Sequence, residues 1–170
     1  MQDYNEFQLG KTNVLEPLEH VDQHRLATQQ MVRQCRSSVH IISRDLDPAV
    51  YDLPEFTSAL TQVLLENRRM KVRILVHDAH AIVRAGHRLL GMAFKLSGFV
   101  EIRKPGPDHK DYNGAMFVVD EIGFITRRTA DRYTGQMNFN DRRESKFLLQ
   151  EFEEMWGKST ADANLRNFVI

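Results

Sequence analysis

Three groups of side chains in this sequence could do chemistry. His77, Asp78, His80 and His87 stand at and after the apolar run Lys71–Val76. His109, Lys110 and Asp111 are consecutive. Arg127, Arg128, Arg132, Arg142, Arg143 and Lys146 crowd between positions 127 and 146, with Lys104 and Lys110 upstream. Histidine beside a carboxylate is the usual equipment for proton transfer, and a His-x-x-His pair with Asp78 could also ligate a metal. Arginine forks match phosphate oxygens two at a time, and Tyr133 and Phe139 could stack on bases.

Each group also has a plainer reading. The arginines could form a solvated loop, pairing with Asp131, Asp141 and Glu144. The histidines around His77 carry no spacing specific to a metal site, and His20 and His24 lie one helical turn apart as any two helix residues may. Arg68, Arg69, Lys71 and Arg73 read as a solvated basic turn into a strand. Cys35 lies on an apolar stripe and reads as a buried, inert thiol. Met31, Met70, Met92, Met116 and Met155 read as core filler. There is no Walker lysine loop, no Gly-x-Gly-x-x-Gly and no Gly-x-Ser-x-Gly, so nucleotide-fold and serine-hydrolase chemistry have no support. No cofactor and no metal site are assigned.

The elements that would position these residues follow from periodicity. Val21, His24, Thr28, Met31 and Cys35 recur at three- and four-residue steps and predict a helix over 20–36. Val39-His40-Ile41-Ile42 predicts a short strand. Phe56, Ala59, Leu60, Val63 and Leu64 give a second helix ending near Asn67. Lys71–Val76 is apolar at both parities, as a strand covered on both faces must be. A helix is expected over 79–96, weakened at Gly86 and Gly91, then a strand over 99–102 stopped by Pro105-Gly106-Pro107. Strands over 116–119 and 124–126 form a hairpin around Asp120-Glu121-Ile122-Gly123. A polar loop over 127–143 and a closing helix over 145–156 complete the order, with a short strand over 6–9 expected in the lead-in. Strand and helix alternate in the first half, so the fold class is mixed α/β, a partly parallel sheet with helices on both faces.

Composition bounds the answer. The 170 residues are 42% hydrophobic and 27% charged, with Lys plus Arg equal to Asp plus Glu at 23 each. One compact domain of this size buries roughly 70% of its unfolded surface without a staple. The zero balance argues against indiscriminate polyanion binding, while leaving local patches open. One cysteine excludes an internal disulfide. No apolar run approaches the roughly 20 residues of a membrane span, and the acidic N-terminus is not a secretory signal. A cytoplasmic location is the default expectation.

Val39-His40-Ile41-Ile42-Ser43 with Lys71–Val76, then Phe117-Val118-Val119-Asp120, Ile125-Thr126 and Phe152-Glu153-Glu154-Met155-Trp156 together resemble a single phospholipase D-like domain. The resemblance runs over about residues 20–158, leaving 1–19 as a lead-in and 159–170 as a tail. That family's motif is His-x-Lys-x-x-x-x-Asp, commonly followed by Gly-Ser-x-x-Asn. Its His attacks phosphorus, its Lys neutralises phosphate oxygens and its Asp supports the site. Laid on the motif, Asp120 keeps the Asp, Asn113 stands for His and Ala115 for Lys. Arg127 and Arg128 replace Gly-Ser, and Asp131 replaces Asn. An amide nitrogen, its lone pair delocalised, cannot replace imidazole as nucleophile, and a methyl group offers no charge to the transition state. The His109-Lys110-Asp111 tripeptide has the wrong spacing.

The resemblance implies a homodimer, since active members pair two motifs. Three functional expectations follow. The first is a catalytically inactive binding module for a phosphate-bearing ligand, nucleic acid among them, held by Arg127, Arg128, Arg132, Arg142 and Arg143 near Asn113 and Asp120. The second is a protein-interaction scaffold with a vestigial pocket and a protein partner. The third is a phosphodiesterase or nuclease rebuilt on His77, His80 or His109, which needs one of them within hydrogen-bond reach of Asp120 or Arg128.

Overall fold

The computed structural model describes residues 3–161 and 165. Its centre is a pair of strands that the sequence marks by β-branched density. Strand β2 (Ser38–Ser43) and strand β3 (Lys71–Val76) run parallel, and β3 pairs in parallel with β4 (Val100–Arg103). The connections are α1 (Val21–Gln34) leading into β2, α3 (Pro54–Glu66) leading into β3, and α4 (Ala79–Ala85) with α5 (Arg88–Lys95) leading into β4. On its other side β2 pairs antiparallel with β5 (Ala115–Val119), which forms a meander with β6 (Gly123–Arg127) and β7 (Gly135–Asn138). A three-residue strand β1 (Glu16–Leu18) closes the far edge on β7, giving the order β1-β7-β6-β5-β2-β3-β4.

Burial explains the parity of the strands. Val72, Ile74 and Val76 face one core with Val39, Ile41, Met31 and Leu60, beneath α1 and α3. Leu75 and Ile42 point to the opposite face and pack with Leu149, Phe152 and Met155 of α6 (Arg142–Gly157). The sheet is therefore mixed, with helices on both faces, as expected.

Three local expectations need correction. Residues 6–9 form a turn rather than a strand, closed by Phe7 N–H on Tyr4 O. Among the described residues before α1, Tyr4 and Leu18 are fully buried and Phe7 packs edge-on against Phe139. The helix expected over 79–96 breaks in two at Gly86, whose φ of 64° lies in the left-handed region that glycine adopts without strain. His87 restarts it as the N-cap of α5, its Nδ1 accepting from Leu89 N–H while Nε2 donates to Leu46 O. Within the polar 127–143 stretch lies β7, which is paired on both sides and buries Met137 and Asn138. A short helix α2 (Pro48–Tyr51) also follows Asp47. The expected tail lies mostly outside the described residues, although Thr160 bridges Lys104 and Leu165 packs on the core.

Candidate functional site

The topology gives the sheet two distinct edges. At the carboxyl edge β2, β3, β4, β6 and β1 end while β5 and β7 begin. At the amino edge the reverse holds. Crevices at the carboxyl ends of parallel strands are where open α/β sheets bind ligands.

The carboxyl edge holds Asn113 and Ala115 at the start of β5, and Ala115 pairs in register with Arg127 at the end of β6. Arg127 is not offered to solvent. Its Nη2 meets Asp47 Oδ2 at 2.7 Å, with the two side chains 7% and 12% exposed. Its Nη1 donates to Ala130 O, and its guanidinium lies 4.8 Å from the Tyr133 ring. Tyr133 hydroxyl donates to Asp47 Oδ1, and Tyr133 O accepts from His24 Nε2 at 2.6 Å. Burial, ahead of every other influence, lowers the His24 pKa to about 4, so this ring is neutral at pH 7. Asp47 and Arg127 form a closed ion pair, with each charge answered by the other.

Further along the same edge, His77 follows β3. Its Nε2 donates to His109 O at 3.1 Å and its ring stacks on Tyr112 with an interplanar angle of 6°. Burial, opposed by that hydrogen bond, lowers its pKa. Burial likewise pushes the Tyr112 hydroxyl up to about 12. Asp78 caps α4 by accepting Ala81 N–H, and His80 is exposed on that helix. The segment preceding β5 thus folds down on the strand ends. Asn113 is exposed, and its backbone oxygen accepts Ala130 N–H. Arg128 and Arg132 are exposed on this edge. Among the described residues, no group of three or more His, Cys, Asp or Glu is placed to hold a metal.

Asp120 belongs to the other edge. It follows the end of β5 at φ 56°. Its carboxylate accepts the backbone N–H groups of Arg36, Ser37 and Ser38, the Ser37 hydroxyl and the Cys35 thiol. Asp120 is a clamp between two turns, separated from Asn113 by the length of β5. Burial, reinforced by Asp120, raises the Cys35 pKa far above the usual thiol range, so the thiol stays protonated. Arg142 and Arg143 open α6, beside that clamp: Asp141 N–H donates to Ile122 O in the β5–β6 turn. The expected five-arginine cluster is thus divided. Arg127, Arg128 and Arg132 lie at the carboxyl edge, and Arg142 and Arg143 at the amino edge. His77, His80 and His109 make no hydrogen bond to Asp120 or Arg128. The sequence reading missed Asp47, whose partner is far away in the chain.

Residues 20–168 match the family described as Domain of unknown function, DUF7931. The chain belongs to this family. No curated protein matches this DUF7931 chain. Among solved structures it is similar to TrmBL2, an archaeal chromatin protein described as showing a novel mode of DNA binding, with TM-score 0.65 and 15% identity. That match covers 92% of the DUF7931 chain and 56% of TrmBL2, so the chain spans little more than half of that protein. It is also similar to Nuc, a phospholipase D family member from Salmonella typhimurium, with TM-score 0.60 and 12% identity over 86% of this chain and 97% of Nuc. NucT from Helicobacter pylori gives TM-score 0.58 and 12% identity over 88% and 98% of the two chains. The DUF7931 fold is phospholipase D-like. No helix among its described residues is long and apolar enough to cross a membrane.

Proposed function

We propose that this chain is a phospholipase D-like binding module that has lost phosphodiester chemistry. The observation that carries the reading is the Ala115–Arg127 pair. Where the reaction needs a nucleophilic imidazole and a free ammonium, the carboxyl edge offers an amide at Asn113, a methyl group at Ala115 and a guanidinium already neutralised by Asp47. His77 is held by His109 O and the Tyr112 ring, and among the described residues no carboxylate pairs with it to equip it as the nucleophile.

The ligand we assign to this edge is phosphate-bearing, with Arg128 and Arg132 as its cations. DNA binding by TrmBL2, whose fold this chain shares, makes nucleic acid the first ligand to try. Hydrolysis of bis(p-nitrophenyl) phosphate should stay at the level of buffer. Fluorescence anisotropy with a labelled single-stranded oligonucleotide should show binding weakened at least tenfold in R128A/R132A. Hydrolysis abolished by H77A would overturn the silent reading, and unchanged affinity in the double variant would overturn the ligand assignment.

The protein-scaffold reading has its own support. A phosphate seated at Arg127 would have to break a buried ion pair, and exposed Asp45, Asp78 and Asp111 interleave with the cations of this edge. That reading expects a co-purifying protein partner and no effect of phosphate on thermal stability. Homodimerisation and a cytoplasmic site of action belong to the same proposal, and sedimentation at micromolar concentration tests the first.

A further inference from the structure

The amino edge carries a second array of cations, independent of the site above. Four turns stand side by side along it, in the order of the strands they feed. Asp141 N–H, at the α6 start, donates to Ile122 O of the β5–β6 turn. Asp120 N–H donates to Ser38 O, beside the α1–β2 turn. Lys71 N–H, closing the α3–β3 turn, donates to Ser37 O. The clamp by Asp120 on Arg36, Ser37 and Ser38 holds the middle of this row.

From this row project Arg142 and Arg143, then Arg36, then Arg68 and Arg69, all exposed. None of the five makes an ion pair among the described residues. Arg142 and Arg143 sit in the first turn of a helix, where the helix dipole disfavours positive charge. Their placement is not explained by stability. Neighbouring strands lie about 4.8 Å apart, so the row from β6 to β3 spans roughly 14 Å. Projected on the axis of a duplex, that matches about four steps at about 3.4 Å each.

We propose that the amino edge docks the phosphate backbone of double-stranded nucleic acid, without reading bases. These turns and the adjoining α5–β4 turn carry Ser37, Asn67, Ser97, Gly98 and Glu121 at their tips, and the exposed apolar Leu65, Phe94 and Phe147 lie on the flanking helices. Phe99, in the α5–β4 turn, is half-buried with Lys71 Nζ 5.8 Å from its ring centre. Glu66 and Glu121 share the edge and temper its field. The contact is therefore salt-sensitive and moderate in affinity.

The test is fluorescence anisotropy of a short labelled duplex over a salt series, on the full chain. Each phosphate contact contributes about −0.9 to the slope of log affinity against log salt. The wild-type slope should fall between about −3 and about −4. R68A/R69A and R142A/R143A should each reduce its magnitude by about 2 and weaken low-salt binding at least tenfold, with unchanged thermal melts. R84A, at an exposed arginine of α4, should leave this duplex contact as in wild type. Wild-type binding that is absent at low salt, or unaltered in both amino-edge pairs, or weakened as much by R84A, would overturn the proposal. So would attachment to phosphatidylserine vesicles with no duplex binding.

Discussion

Replacing Asp120 separates a structural clamp from a site residue. Oδ1 takes Ser37 N–H at 2.7 Å, Ser38 N–H at 3.0 Å and the Ser37 hydroxyl at 3.0 Å, while Oδ2 takes Arg36 N–H at 2.9 Å. Hydrogen bonds to a charged group contribute about 1.5–3 kcal/mol each, but Arg36 and Ser37 are exposed and water can replace part of that. Ser38 is half-buried and Cys35 buried, so their losses are less compensated. D120A should therefore cost about 3 kcal/mol, including about 1 kcal/mol for alanine held at φ 56°. At about 2–4 °C per kcal/mol for a chain of this size, the melting temperature should fall by about 6–12 °C. D120N keeps one oxygen for the Oδ1 bonds and tolerates the left-handed backbone, so it should cost about half as much. D120G, free of the backbone strain, should fall between them. Urea titration of the three variants gives the order directly. A D120A change within about 0.5 kcal/mol of wild type, or a loss of oligonucleotide binding with stability intact, would refute the clamp.

Other expectations follow from the same geometry. D47A strands a buried guanidinium and should cost about 3–5 kcal/mol, whereas D47A/R127M should recover most of it; denaturant midpoints decide, and equal losses would mean the pair is not coupled. Burial holds the His24 and His40 pKa values at about 4, below the ordinary 6.5, so the folded state binds fewer protons than the unfolded one in that range. Stability should fall as pH drops from about 6.5 towards 4, and H24Q/H40Q should flatten that slope in melts taken across it. A β-carbon on Gly135 would collide with Thr126 O of the neighbouring strand. G135A should lower stability by about 2 kcal/mol, read from a urea midpoint; an unshifted midpoint would show that the strand can move aside.

The sequence made the middle of the fold legible because its signals are local. Lys71–Val76 is apolar at both parities, and its two faces do meet two cores. Leu60, Val63 and Leu64 repeat at helical spacing and lie buried on α3. The edges were illegible for the opposite reason. Glu16-Pro17-Leu18 and Gly135–Asn138 are short and polar, and become strands only through each other's hydrogen bonds. Gly86 was visible as a weak point, but not that His87 would reach Leu46 to fix the break. At the site, the loss of the nucleophile and cation was readable from Asn113 and Ala115. The sequestration of Arg127 was not, since nothing near Asp47 in the chain announces its partner. The split of the arginines between two edges required the register of the meander.

The pairing of β1 with β7 also bears on how the chain reaches this state. Glu16 meets Met137, near opposite ends of the sequence, so closing that ladder costs more chain entropy than any contact within the meander. Until it closes, β7 is an open, hydrogen-bond-hungry border on which another chain could add. Pro17, lacking an N–H, makes the strand that finally covers it a poor template for further growth. A chain lacking β1 would leave β7 as an open sheet edge, so truncations before Leu18 should be judged by turbidity during refolding as well as by binding.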